Sequence, residues 1–530
     1  MRKSGAVAAI GALGLLAAAC GGGGSADGGK DAGAKDATFT AAIPTDPGAL
    51  DPATAVLSVT NGTLAQAYDA LVHQGPNGVV SGLAEKWEVK PDSVTFTIRK
   101  DVTCSDGSTV TPSVIAENFA HLANPETKSP IYGVLVPAGL TAKADDAAGT
   151  VTLSTPQPYS FILENARDVW IVCGKGLKDR SILTKQTSGS GPYVLSESVS
   201  GDHYTFTRRE GYAWGRGGTT NNEPGSPAKI VLKVVPNEQT AANLLTSGGI
   251  NFAVIQGPDR DRLEKMSGFN NRVIAAGNGQ YFYNQKKGLP GADPAVRKAL
   301  TQAVNLQELG GISTSGKGGK ATGLVWESME PCKDDSVTGS LPPYDTAAAT
   351  AALDAAGWKP GADGIREKDG KKLSLRYVYV TTRGPGFQAA AEYLAGEWKK
   401  IGVELKLNGV IDTKLAEVMN VSGDWDVIWL PIGVGLPSQL TAFLSGPSAP
   451  KGANFAHLDN KRYTELVAEA IQKPGPEGCK LWAEAERALF TNHDLVPVVE
   501  DTLLLAMKGA TVDTYGDIPI ATSVRMKSAG

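Results

Sequence analysis

The 530-residue chain carries 51 basic and 55 acidic side chains, a formal net charge of −4, with 42% hydrophobic and 20% charged residues. That balance is ordinary for a soluble globular protein. With no basic run and no interleaved basic and aromatic stripe, it argues against nucleic acid as a partner. The length exceeds what one hydrophobic core usually organises, so two or more lobes are expected.

The chain opens on Arg2 and Lys3, a small apolar run from Ala6 to Ala19, then Cys20 and Gly21 to Gly24. The run is too short to span a bilayer, and with its charged start it reads as a secretory signal over residues 1–19. Leu16-Ala17-Ala18-Ala19-Cys20 resembles the lipobox of bacterial lipoproteins, although leucine usually stands where this chain has Ala17. The resemblance implies cleavage before Cys20 and its acylation, holding the protein at the outer face of the cell membrane without a spanning helix. A plain secretory signal cut nearby is the alternative. Residues 20–37, rich in Gly, Ala, Ser, Asp and Lys, cannot offset their ordering entropy and form a tether with a reach of roughly 20 to 25 Å.

Past the tether, the alternating segments Val94-Thr95-Phe96-Thr97-Ile98 and Lys229-Ile230-Val231-Leu232-Lys233-Val234 predict strands. Asp293 and Pro294 read as the N-cap and first-turn proline of a helix with Val296, Ala299, Leu300, Ala303 and Val304 at helical spacing. Phe387, Ala390, Ala391, Leu394, Trp398 and Ile401 form a second stripe, ended by Gly402 where a left-handed residue belongs. Val403 to Leu407 then alternates as a strand, and this helix-strand order implies an α/β lobe. Helices over 463–472 and 479–491 precede a return to strand composition at 495–505. No short-period repeat is present.

Four cysteines remain once Cys20 is assigned to lipid: Cys104, Cys173, Cys332 and Cys479. An even number in an oxidising compartment suggests two disulfides with three possible connectivities. No Cys-x-x-Cys or His-x-x-x-His spacing supports a metal site, and no cofactor is expected. Gly311 to Lys317 matches the first seven positions of a phosphate-binding loop, but Gly318 replaces the Ser/Thr that would ligate magnesium, so it reads as a mobile Gly/Ser/Lys loop. Ser188 to Gly191 lacks the Gly-x-Ser-x-Gly spacing of a hydrolase turn. His73, His121, His203, His457 and His493 are scattered without a triad pattern; a triad converging in the fold is the enzymatic alternative to a binding role.

Ordered motifs point to a class. Leu83 to Val89, Thr95 to Val102 and Ser105-Asp106-Gly107-Ser108-Thr109-Val110-Thr111 come first. Gly189-Ser190-Gly191-Pro192-Tyr193, Arg209 to Trp214, Asn284 with Asp293 to Ala299, Tyr344-Asp345, Ala355 to Trp358 and Gly364-Ile365 follow. Together they resemble the family-5 extracellular solute-binding proteins, the oligopeptide, dipeptide and nickel receptors of ABC importers, over nearly the whole chain from about Thr38. The resemblance implies an α/β, periplasmic-binding-protein-like two-lobe cleft fold with an inserted subdomain. Lobe I would comprise 38–73, 188–279 and 498–530, the insert 74–187 and lobe II 280–497. Pairing Cys104 with Cys173 and Cys332 with Cys479 is favoured because each pair then falls within one proposed lobe.

The same resemblance implies a monomer that captures a small or peptide-like solute and presents it to ABC permease subunits, with no catalytic residue. Candidate ligand-binding residues are Leu57, Ser58, Val59 and Asn61 in a first-lobe loop, and Tyr281 and Tyr283 where the chain crosses between lobes. Arg383 stands at the cleft mouth, and Trp429, Pro431, Ile432 and Gly433 in a second-lobe loop. The segment Trp429 to Gly435 lacks the aspartate that holds the peptide ammonium in peptide receptors of the family. Oligosaccharides, opines and metal chelates therefore stand beside peptide as solutes, and a sensing receptor that imports nothing stands beside the importer.

Overall fold

A computed structural model describes residues 37–75, 78–325, 332–381, 384–430, 432–449 and 451–527. The expected signal, Cys20 and residues 21–36 lie outside them. Two long antiparallel strands, Phe269–Tyr283 and Leu495–Lys508, form the spine of the main sheet. Beside the second of them lie Phe252–Ile255, Thr38–Ile43, Lys229–Val234, His203–Arg208 and Tyr193–Val199, in that order. Beside the first lie Val427–Trp429, Ser374–Val380 and Glu404–Val410. One sheet therefore serves both lobes.

Each half of the sheet buries both faces, because successive side chains of a strand point to opposite sides. In Phe269–Tyr283, Tyr281 and Tyr283 enter one core with Val427, Trp429 and Tyr377, while Phe282 enters the opposite core with Ile428 and Val378. The other half repeats the pattern: Leu505 and Met507 pack on one face, Leu504 and Ala506 on the other. The spine ladder slips between Ala275 and Asn278 and again between Gly279 and Gln280, between the two sets of cores. A separate four-stranded sheet, in the order Ala84–Lys90, Ser93–Ile98, Thr150–Ser154 and Thr141–Asp145, packs with the helix Pro112–Ala123 around its own core. This is the expected two-lobe α/β fold with an inserted subdomain.

The local signals have direct counterparts. Asp293 caps the helix Pro294–Gln302 by accepting from Ala295 N–H at 2.9 Å. The helix Pro385–Lys400 is followed by Gly402 at φ +80°. Cys104 is paired with Cys173, Cα atoms 6.1 Å apart, and Cys332 with Cys479 at 5.1 Å. The phosphate-loop lookalike ends the helix Leu306–Ser313, and Lys317 meets Asp261 at 2.5 Å and Glu264 at 3.4 Å. No helix among the described residues is long and apolar enough to cross a membrane.

One buried acid ties the Cys332 segment to the helix Gly475–Thr491. Glu486 accepts from Ser336 Oγ and from Leu324 N–H at 3.3 Å, and burial pushes its carboxyl up to about 7 from 4.5. The folded chain thus holds this proton more tightly than the unfolded chain. Its contribution is complete below the ordinary carboxylate value and is lost as pH rises through 7, by about 3 kcal/mol at about 1.4 kcal/mol per unit. Glu486→Gln, neutral throughout, is expected to flatten the fall in melting midpoint between about pH 5 and 8. An unchanged slope would show that Glu486 does not carry it.

Candidate functional site

One sequence candidate, Asn61, and one residue that was not a candidate, Gln439, approach one short segment from opposite lobes. In the first lobe, Leu57 is 46% exposed at the start of the helix Ser58–Leu64, Ser58 is exposed, and Val59 and Asn61 are half-buried. Asn61 Oδ1 accepts from Trp170 Nε1 at 3.1 Å. In the second lobe, Ile432 is half-buried and Gly433 exposed, just ahead of the helix Pro437–Leu444. Gln439 on that helix accepts from Gly435 N–H at 3.1 Å and donates to Asn165 Oδ1 at 3.3 Å. Residues 165–170 are therefore where the two loops converge.

A polar cluster occupies that place. Arg167, 4% exposed, donates from Nε to Asp168 at 3.2 Å and from Nη1 to Gln74 Oε1 at 2.8 Å. Arg216 donates to the Gln74 carbonyl, and both guanidiniums lie against the Tyr515 ring, 5.7 and 5.6 Å from its centre. Such stacking suits a planar cation. Burial raises the Asp168 carboxyl, and Arg167 and a hydrogen bond from Gln439 draw it back. Burial also raises the Tyr515 hydroxyl, which faces Arg167 outside hydrogen-bond geometry. A buried set of charges shared between lobes is costly unless partnered, so it specifies how the lobes meet.

Immediately before this cluster the chain hooks into the second lobe. Ser160 donates from both N–H and Oγ to the Ile471 carbonyl, each at 2.7 Å. Phe161, 7% exposed, enters the second lobe's core with its ring 6.1 Å from Trp482.

The remaining candidates stand elsewhere. Tyr281, Tyr283 and Trp429 are at most 1% exposed and face the helices on one side of the sheet. Tyr283 shares a hydrogen bond with Thr301 at 2.9 Å, while Tyr281 sits 6.3 Å from both Trp398 and Trp429. They build the lobe core beside the crossing and are not brought to residues 165–170. Arg383 and Pro431 lie outside the described residues. Sequence reading missed Arg167, Asp168, Arg216, Gln439 and Tyr515. The one available signal was the Arg167-Asp168 pair wedged between the apolar stretches Phe161 to Leu163 and Val169 to Val172.

Among the described residues no group of three or more His, Cys, Asp or Glu could hold a metal ion. Ser190 meets Asp69 at 2.9 Å, but the other side chains on that carboxylate are Tyr212 and Trp214, not histidine.

Two lobes on one spine, with polar side chains converging where they meet, define a cleft-forming binding protein. The model of the bacterial extracellular solute-binding proteins, family 5 Middle, matches residues 78–454, and the chain belongs to that family. Its members are extracytoplasmic proteins that bind a small solute or peptide and deliver it to an ABC permease. The chain is 27% identical over 435 residues to the nickel-binding periplasmic protein of Escherichia coli K12, covering 79% of each. A substrate-binding protein of Microbacterium hydrocarbonoxydans, solved with 4-hydroxybenzoate hydrazide, superposes with a TM-score of 0.78 at 26% identity, over 93% of this chain and 100% of that one. The oligopeptide-binding protein AppA of Bacillus subtilis, solved with a nonapeptide, shares the fold at a TM-score of 0.79 and 20% identity, over 93% and 99%. These relatives are binding proteins, not enzymes.

Phe161→Ala is expected to cost about 3 kcal/mol, as for other buried phenylalanines, and to loosen the contact between insert and second lobe. Denaturant titration and small-angle scattering would read this as a lower midpoint and a larger radius of gyration. Wild-type values in both would remove Phe161 from the contact.

Proposed function

We propose that this chain is a monomeric receptor without enzymatic activity that captures a peptide-like solute between its lobes and serves an ABC importer. It is held at the outer face of the membrane by lipid on Cys20. The observation that carries the reading is the convergence of Asn61 from one lobe and Gln439 from the other on residues 165–170. Interlobe clefts are the usual place for a small ligand in such folds, and closure over it makes a surface for the permease. In this reading lobe I comprises 38–73, 188–279 and 498–530, the insert 74–187 and lobe II 280–497. Leu57, Ser58, Val59, Asn61, Ile432 and Gly433 line the mouth, and Tyr281, Tyr283 and Trp429 support it from behind.

Thermal-shift screening of the mature protein against di- to pentapeptides, oligosaccharides and metal chelates tests the solute class. Peptides are expected to raise the melting midpoint, with a shift that grows with concentration. Stabilisation by sugars or chelates alone would reassign the solute while keeping the receptor. For the anchor, wild-type protein is expected to incorporate labelled palmitate in its bacterial host and Cys20→Ala to lose it; a variant that still labels would place the lipid elsewhere.

A further inference from the structure

The tether joins the fold at a basic edge of the first lobe. The described fold begins at Ala37, whose carbonyl accepts from Ala228 N–H at 2.8 Å and starts the pairing of Thr38 with Lys229. At the same end of the sheet Arg208 N–H donates to the Ala228 carbonyl at 2.8 Å. Asn251 carries the row to the spine, accepting from Thr40 N–H at 2.9 Å and, through its carbonyl, from Lys508 N–H at 2.9 Å. Arg525 and Lys527 close the row. Ser226 receives Arg208 Nη1 on its carbonyl at 3.1 Å and Arg525 Nη1 on its hydroxyl at 3.5 Å, and Lys527 N–H donates to the Gly509 carbonyl at 2.9 Å. Among the described residues none of these five cations makes an ion pair. Lys508 donates to the Thr246 carbonyl and lies 5.7 Å from the Phe269 ring centre, Lys527 donates to Asn270 Oδ1 at 3.1 Å, and Lys229 is exposed. The acids of the adjoining loop, Glu210 and Glu223, are exposed.

The chain as a whole is acidic, with a net charge of −4, so these cations are a local excess. A group of like charges attracts a surface of opposite sign, and each lysine or arginine beside an anionic leaflet adds to that attraction. The edge is also where the tether ends, and the tether reaches roughly 20 to 25 Å. An acyl chain on Cys20 therefore holds this edge, ahead of the rest of the fold, near phospholipid headgroups. We propose that Arg208, Lys229, Lys508, Arg525 and Lys527 dock the first lobe on an anionic phospholipid surface. The docking rests on the reading of Cys20 as the lipid anchor. The spine pair runs from Phe269 with Lys508 at this edge to Phe282 with Leu495 in the second lobe. Docked in this way, the molecule stands with its second lobe directed away from the lipid and its interlobe site raised above it. The tether sets the distance and the charges set the orientation.

Cosedimentation with vesicles tests this on the mature chain, residues 20–530, carrying Cys20→Ser so that no acyl chain contributes. Vesicles of equimolar phosphatidylglycerol and phosphatidylcholine should bind it at least tenfold more tightly than phosphatidylcholine alone, and high salt should remove the difference. Lys229→Gln, Lys508→Gln and Lys527→Gln combined should lower that binding at least tenfold. The same change at three exposed lysines of the second lobe, Lys371, Lys399 and Lys461, should leave it close to wild type. If the first triple variant fails to fold, Lys229→Gln with Lys527→Gln, both at exposed positions, makes the same comparison. Equal binding to the two kinds of vesicle, or equal loss in the first-lobe and second-lobe variants, would overturn the docking and leave the anchor standing. Palmitate incorporation by the wild type reads the anchor separately, because the vesicle experiment uses a chain without lipid.

Discussion

Everything in this molecule depends on one antiparallel pair of strands that belongs to both lobes. Phe269–Tyr283 and Leu495–Lys508 pair from Phe269 with Lys508 to Phe282 with Leu495, and the other strands of the sheet flank this pair. A continuous ladder would resist bending, but this one slips twice between Ala275 and Gln280. Extra residues in a ladder increase local twist and bend the strand. Gly279 stands in that stretch because a β-carbon there would come within 2.7 Å of Val499 and 2.9 Å of the Trp429 ring. The aromatic core of the second lobe is thereby packed directly against the bend.

Around that spine, the recurring sequence motifs act as pins. Asp69, buried and raised by that burial, accepts from Tyr212 OH at 2.7 Å, Ser190 Oγ at 2.9 Å and Trp214 Nε1 at 3.0 Å. It thus collects two separate motifs, Gly189 to Tyr193 and Arg209 to Trp214, on one carboxylate. Gly191 has to be glycine, since a β-carbon would fall 2.3 Å from the Ala67 carbonyl carbon. In the second lobe Arg297 donates to the carbonyls of His493, Gly291 and Asn492 and pairs with Asp494 at 3.2 Å. That fixes the helix Pro294–Gln302 to the turn that feeds the second spine strand. Buried polar groups that are fully partnered in this way specify one arrangement over others.

This explains what was legible in the sequence and what was not. Strand alternation at Val94 to Ile98 and the capped helix after Asp293 are local, so their residues announce them directly. The ordered motifs were legible as a family pattern because pins such as Asp69 and Arg297 demand particular residues at particular places. The polar cluster was not, because Gln74, Arg167, Arg216, Gln439 and Tyr515 come from five distant stretches and each looks like an ordinary polar residue in its own neighbourhood. Tyr281 and Tyr283 misled for the opposite reason. Their position at the crossing is informative, but period-two alternation turns both toward the helices, while Phe282 between them faces the other way.

The balance between inside and between lobes decides what a solute can do. Each lobe buries a core on either face of its half-sheet, whereas the junction between the insert and the second lobe rests, among the described residues, on contacts such as Phe161 against Trp482, Ser160 on Ile471 and Gln439 on Asn165. One buried phenylalanine contributes about 1.5 to 3 kcal/mol and a net hydrogen bond about 1 kcal/mol, and ordering of the joined segments offsets part of that. These contacts contribute a few kcal/mol, far less than the burial inside either lobe. A ligand shifts a lobe-lobe equilibrium only by its differential affinity for the closed form, and about 5.5 kcal/mol moves it from mostly open to mostly closed. Contacts to both lobes at once are the direct source of that difference, which is why the junction at residues 165–170, rather than either lobe interior, is where binding and closure become the same event.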